Sequence, residues 1–197
     1  KKGEMRNRIL ECIQESVDNF NTILKDENLG QTIEEIVELC IVAFRKNKKM
    51  LLCGNGGSAA DSQHLAAEIV VRFKKTREPL PAIALTTDTS IITSIGNDFG
   101  FEEIFSRQVE ALGNSKDVLI AFTTSGKSAN IIKALGEARN KKITTITFTG
   151  SNIDDIVDKS DFIISVPSEV TGVIQQSHIT IGQLITMNIE NHLSNGE

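Results

Sequence analysis

The run LLCGNGGSAADSQHLAAEIVVRF, Leu51 to Phe73, decides how the rest of the chain is read. With Met50 it opens on four apolar residues, which reads as a buried strand ending at Cys53. The chain then breaks into Gly54-Asn55-Gly56-Gly57-Ser58. A helix follows at once, with Ser58 as its expected cap and Ala59, Ala60, Leu65, Ala66, Ala67, Ile69 and Val70 as helix formers or core residues. A strand, a glycine-rich turn and a helix together aim backbone N–H groups and a positive helix end at an anion. On the same helix His64 and Glu68 stand four residues apart, so their side chains leave one face. An anion cradle and a His/Glu pair therefore lie within about 10–15 Å of each other, at 1.5 Å of rise per residue.

The whole chain of 197 residues is 40% apolar and 24% charged, the composition of an ordinary globular domain. Its net charge of −5 argues against a non-specific nucleic-acid surface. The lysines of Lys46–Lys49 read as a solvated helix end. Without Trp or Tyr, stacking platforms for single strands are not expected either. Cys12, Cys40 and Cys53 are scattered and show no CxxC spacing, which points to reduced thiols in a cytoplasmic protein. No apolar stretch reaches the roughly 20 residues of a membrane span, and no signal-peptide pattern opens the sequence.

Outward from the first turn, the pattern is helix–helix and then strand–helix alternation. Ile9, Ile13, Val17, Phe20 and Leu24 make one apolar stripe. Gly30 is an expected stop, and Thr32 with Glu35 an expected capping box. Ile33, Ile36, Val37, Cys40, Ile41 and Phe44 make a second stripe, which packs on the domain or on a partner subunit. Strands are expected at 81–86, 117–123, 143–149 and 162–166. Helices are expected at 90–96, 101–112, 128–139, 153–158 and 173–193. β-Branched strands alternating with helices argue for a parallel sheet covered on both faces. With no internal repeat or low-complexity linker, residues 1–197 read as a single domain, with N-terminal helices over about 1–48 and a core over about 49–193.

A second ligand turn is Thr123-Thr124-Ser125-Gly126-Lys127-Ser128, again between a strand and a helix. Four hydroxyls and a glycine in six residues suit a phosphate monoester at the carboxyl end of a sheet. The GxxxxGK[ST] spacing of a Walker loop is absent. Gln175-Gln176-Ser177-His178 and then Gln183 place polar groups on a last helix that must be largely buried, where they need partners.

Four segments resemble the phosphoheptose isomerase family of the SIS fold: CGNGGSAADSQHLAAE, ALTTDTSIITSIGNDFGFEEIFSRQVEALG, TTSGKSANI and IQQSHITIG. The likeness runs from about residue 10 to 193. It implies an α/β SIS fold with a five-stranded parallel sheet between helical layers, and N-terminal helices for oligomerisation. It also implies an aldose–ketose isomerase that converts sedoheptulose 7-phosphate to D-glycero-D-manno-heptose 7-phosphate for bacterial surface heptose, through an enediol. By resemblance Asn55, Gly56, Gly57, Arg72, Asn97, Asp98 and Gln175 contact substrate, Thr123, Thr124, Ser125 and Ser128 hold its phosphate, and Glu68 is the catalytic carboxylate. His64, Glu68 and Gln175 match zinc ligands of some members. Members are typically homotetramers.

Gln183 departs from the family. A histidine occupies this place there, as acid/base and fourth metal ligand. Gln cannot exchange a proton at neutral pH, and its carbonyl oxygen is a poorer zinc ligand than imidazole. The resemblance therefore implies one zinc ion per subunit, held more weakly, and a reduced rate. By the resemblance His178 aligns with a different family position and does not fill the gap, although its side chain lies roughly on the same helical face and a rescue role is weighed for it. The alternative is a non-catalytic SIS module that binds a sugar phosphate or a replication initiator protein. Intact Glu68, His64 and GNGGS favour the enzyme.

Overall fold

The computed structural model describes residues 2–194. Two helices come first, α1 (Lys2–Leu24) and α2 (Glu27–Arg45). Then follow β1 (Met50–Gly54), α3 (Gly57–Val70), β2 (Ala82–Ala84) and α4 (Thr89–Asp98). A 3₁₀ turn at Phe101–Glu103 leads to α5 (Ser106–Leu112), β3 (Val118–Thr123), α6 (Ala129–Asn140) and β4 (Thr144–Thr149). A second 3₁₀ turn (Val157–Lys159), β5 (Phe162–Ser165) and the long α7 (Thr171–Ser194) complete the described residues.

The sheet is wholly parallel, in the order β2-β1-β3-β4-β5. Its central strands are apolar on both faces because helices cover both. Met50, Leu52, Val118, Ile120 and Phe122 face a core built with α2, α3 and α7. Leu51, Cys53, Leu119 and Ala121 face the opposite core, built with α4, α5 and α6. Burial leaves the Cys53 thiol with a raised pKa and pushes that of Cys40 up to about 12, so both are inert packing residues. Cys12 is exposed. Strand order reverses between β1 and β3. That reversal opens a crevice at the carboxyl ends of these two neighbours, where open α/β sheets bind ligands.

Several local expectations are corrected. Gly30 does not end a helix, and Thr32 with Glu35 is not a capping box. Asp26 caps α2 instead, accepting from the backbone N–H of Leu29 at 3.0 Å, and α2 then runs through Gly30. The Thr32 hydroxyl donates to the carbonyl of Asn28, one turn back. Ser58 does not cap α3. The helix begins two residues earlier, Gly56 takes the cap position, and Ser58 is buried. The helix expected over 101–112 is split at Ile104 and Phe105, which turn into the core.

Candidate active site

Helices α3 and α7 run side by side in the same direction, and their matched positions carry most of the site. Near their starts, Gly57 lies against Gln175, so close that a Cβ on Gly57 would stand 2.6 Å from the Gln175 amide nitrogen. Further along, Gly182 has no side chain where Leu65 packs; a Cβ there would meet Leu65 at 2.5 Å. This bare position lets the helices approach, and the next residues, Glu68 and Gln183, meet. Gln183 donates through Nε2 to Glu68 Oε1 at 3.0 Å, and the same nitrogen is 3.4 Å from His64 Nε2. His64 Nε2 lies 3.0 Å from Glu68 Oε1. The His/Glu pair read from sequence is thus a three-way contact with Gln183. Glu68 Oε2 is buried without a hydrogen-bond partner. One turn before His64, Asp61 also has a buried, unpartnered oxygen; burial raises its pKa, and the nearby His64 charge opposes that rise.

The loops after β1 and β3 flank the crevice. The hydroxyl of Thr123 donates to Ser128 Oγ at 3.2 Å, and the Ser125 hydroxyl accepts from the Lys127 backbone N–H at 3.2 Å. Gly126 adopts φ +70° and lies tight against the carbonyl of Asn152, which a side chain would strike. No side chain caps α3 or α6, whereas aspartates cap α2 and α4. The α5 start also lacks a side-chain cap, but α3 and α6 are the helices that start beside the crevice, and their N–H groups suit an anion. Asn55 exchanges a reciprocal pair of amide hydrogen bonds with Asn130 across the crevice, both 2.9 Å. Asn130 escaped the sequence reading, where it looked like one more residue of a helix start.

Other expected residues are not brought together within one chain. Arg72 is exposed and donates to Thr76 Oγ1, and the Asn97 amide donates only to its neighbour Asp98. His178 is no substitute for a family histidine. It is fully buried, its Nε2 meets the Thr149 carbonyl at 3.1 Å, and its ring stands edge-on to Phe148. With Nε2 as the donor, Nδ1 is left buried and unpartnered. A second proton would add a donor with no acceptor, and burial accordingly lowers the His178 pKa to about 4.

This yields a pH prediction. Between pH 6.5 and 4 the unfolded chain binds a proton at residue 178 that the folded chain refuses. Stability is full above pH 6.5 and falls as pH drops, by at most about 1.4 kcal/mol per unit. Urea midpoints at pH 7, 6 and 5 are expected to decline in the wild type and to decline less in His178→Phe. Equal slopes would refute a neutral buried imidazole.

Two further residues missed by the sequence reading hold the end of α3. Glu190 of α7, 1% exposed, accepts from the backbone N–H groups of Phe73, Lys74 and Lys75 at 2.6–2.7 Å and pairs with Arg77 at 3.3 Å. Burial alone would raise its pKa, but the three N–H groups and Arg77 outweigh it and hold the carboxyl below its usual range. Arg77, 4% exposed at its side chain, in turn donates to the backbone carbonyl of Glu68 at 2.9 Å. A charge set in the apolar run of α7 was the signal that could have found Glu190.

Similarity to known proteins agrees with this geometry. Residues 14–150 match the family described as the SIS domain. The phosphoheptose isomerase of Burkholderia pseudomallei (strain 1710b) is 46% identical, with 96% of this chain and 98% of that protein covered. The enzyme of that name from Clostridium acetobutylicum is 49% identical, with 96% of each chain covered. The solved phosphoheptose isomerase of Neisseria gonorrhoeae superposes with a TM-score of 0.88 at 37% identity, covering 95% of this chain and 99% of its own. At these levels of identity over almost the full chain, the protein belongs to the phosphoheptose isomerases of the SIS-domain family.

Proposed function

We propose that the chain interconverts sedoheptulose 7-phosphate and D-glycero-D-manno-heptose 7-phosphate, supplying bacterial surface heptose, with Glu68 as the base. The observation that carries this is the Glu68 carboxylate, one oxygen held by Gln183 and the other buried and unpartnered, on a helix whose start faces the crevice. The phosphate binds at Thr123, Thr124, Ser125 and Ser128. Asn55, Gly56, Gly57 and Gln175 contact the sugar beside it, and Arg72, Asn97 and Asp98 reach substrate from the rim or from a neighbouring subunit. Glu68 takes the C1 proton of the ketose, leaving an enediol, and returns it to C2, while a proton is lost from the C1 hydroxyl and one is gained by the C2 oxygen. The oxyanion that develops needs donors. The Gln183 amide keeps Glu68 in place and adds one. The reduced rate expected from Gln183 has no support, and the amide engages the carboxylate directly.

A divalent ion such as zinc would draw its donors from this cluster. His64 offers an imidazole, Glu68 an oxygen without a partner, and Gln175 and Gln183 amide carbonyls once their oxygens turn inward. Among the described residues no three His, Cys, Asp or Glu side chains gather, so the set is poorer than a typical zinc site. When bound, the metal supplies positive charge for the oxyanion. The three free cysteines suit a cytoplasmic setting, and among the described residues no helix is long and apolar enough to cross a membrane.

The chain acts as one SIS domain and assembles as a homotetramer. What supports assembly is α1. Its Met5, Ile9, Leu10 and Ile13 are all more than half exposed, an apolar stripe left open on a helix of 23 residues. Arg6 and Arg8 precede Glu11, Glu15 and Asp18, so antiparallel pairing with a second copy sets opposite charges together. Purified protein is expected to sediment at four times the chain mass and to form aldoheptose phosphate from sedoheptulose 7-phosphate, more slowly after chelation. Absence of turnover with and without added zinc would remove the proposal.

A further inference from the structure

The Asn55–Asn130 pair is a direct polar link across the crevice, and the isomerase proposal gives the pairing itself no part. Asn55 belongs to the turn after β1 and Asn130 to the first turn of α6, beyond the phosphate loop. The strands that carry them are neighbours, with Gly54 opposite Phe122. Each amide gives one N–H and accepts one, at 2.9 Å in both directions. Such a closed pair fixes both side chains, because neither amide can turn without losing two bonds. It also leaves each amide one N–H and one lone pair uncommitted. Asn130 itself is 3% exposed. A ligand in the crevice therefore has little access to it, while Asn55 is only half-buried.

We infer that Asn130 is a positioning residue that acts through Asn55, holding the glycine turn at a set distance from the phosphate loop so that a sugar phosphate spans the two. This rests on the isomerase proposal. The buried amide keeps the turn in register when the crevice is empty, so binding does not have to order it. The expected effect therefore lies in substrate affinity more than in turnover.

The test is a cycle of Asn55→Ala, Asn130→Ala and the double variant, assayed with sedoheptulose 7-phosphate. Each single change is expected to raise KM about tenfold, the scale of one net hydrogen bond, with kcat within about threefold of wild type. The double variant is expected to be no worse than Asn55→Ala, because the two act as one unit. Asn130→Asp adds an independent readout and covers the case in which Asn130→Ala fails to fold. Ionised, Asp accepts from Asn55 but cannot donate. Protonated, it regains the donor, so its KM relative to wild type is expected to recover as pH falls. KM effects that multiply in the double variant, or an Asp KM ratio flat with pH, would overturn the inference while leaving the isomerase intact. A wild type that neither binds nor converts the sugar would overturn both.

Discussion

Glu68→Gln is expected to cut the isomerisation rate by roughly a hundredfold to ten-thousandfold, the range a positioned general base contributes. KM should change little, because the amide keeps the shape of the carboxyl group and can still accept from Gln183 at the oxygen now held at 3.0 Å. What disappears is the ability to take a proton from carbon and give it back. The decisive measurement is solvent-deuterium exchange at the transferred hydrogen. Wild type is expected to exchange it to a measurable extent, and Glu68→Gln to show neither exchange nor turnover. A variant retaining more than a tenth of wild-type kcat would show that another group moves the proton. The partner change, Gln183→Ala, leaves Glu68 Oε1 with His64 alone and should cost far less, since the base survives.

Glu190→Ala is expected to be the most destabilising single change. It strips the acceptor from three backbone N–H groups and leaves the Arg77 guanidinium buried without its counter-ion. Breaking a buried pair from one side costs about 3–5 kcal/mol, a large share of a domain's total of about 5–15 kcal/mol. For a chain of this length that amounts to a fall in Tm on the order of 10 °C, checked by thermal denaturation. The acid dependence has a definite sign. The carboxyl is held below its ordinary value of 4.5, so its stabilisation is present above that pH and lost as pH falls further. That window lies below most of the His178 window, and the two can be told apart in one titration. A Glu190→Ala protein with unchanged Tm would mean that water replaces the carboxylate at no cost.

The strand–turn–helix at Leu51–Phe73 made the parallel sheet legible because buried parallel strands and glycine turns are local signals. The same holds for the β3 loop and for the one-turn spacing of His64 and Glu68. Pairings between distant segments were not legible. Asn55 with Asn130 and Glu190 with the 73–77 segment depend on which helix packs beside which, and neither partner announces the other. The rescue role weighed for His178 rested on helical periodicity alone; α7 is buried on several sides, and that position points to Thr149. The capping error at Thr32 arose because two possible starts lie within a few residues, and the aspartate, earlier in the chain, prevails.

The missing caps on α3 and α6 also govern how a ligand arrives. A chain of net charge −5 repels a sugar-phosphate dianion at a distance, whereas the bare N–H groups of those two helices attract it on contact. Salt shortens the reach of the repulsion from about 30 Å at 0.01 M to about 8 Å at 0.15 M, and weakens the close attraction much less. Capture should therefore quicken with the first additions of salt and slow only at high concentration, giving an optimum ionic strength instead of a steady decline.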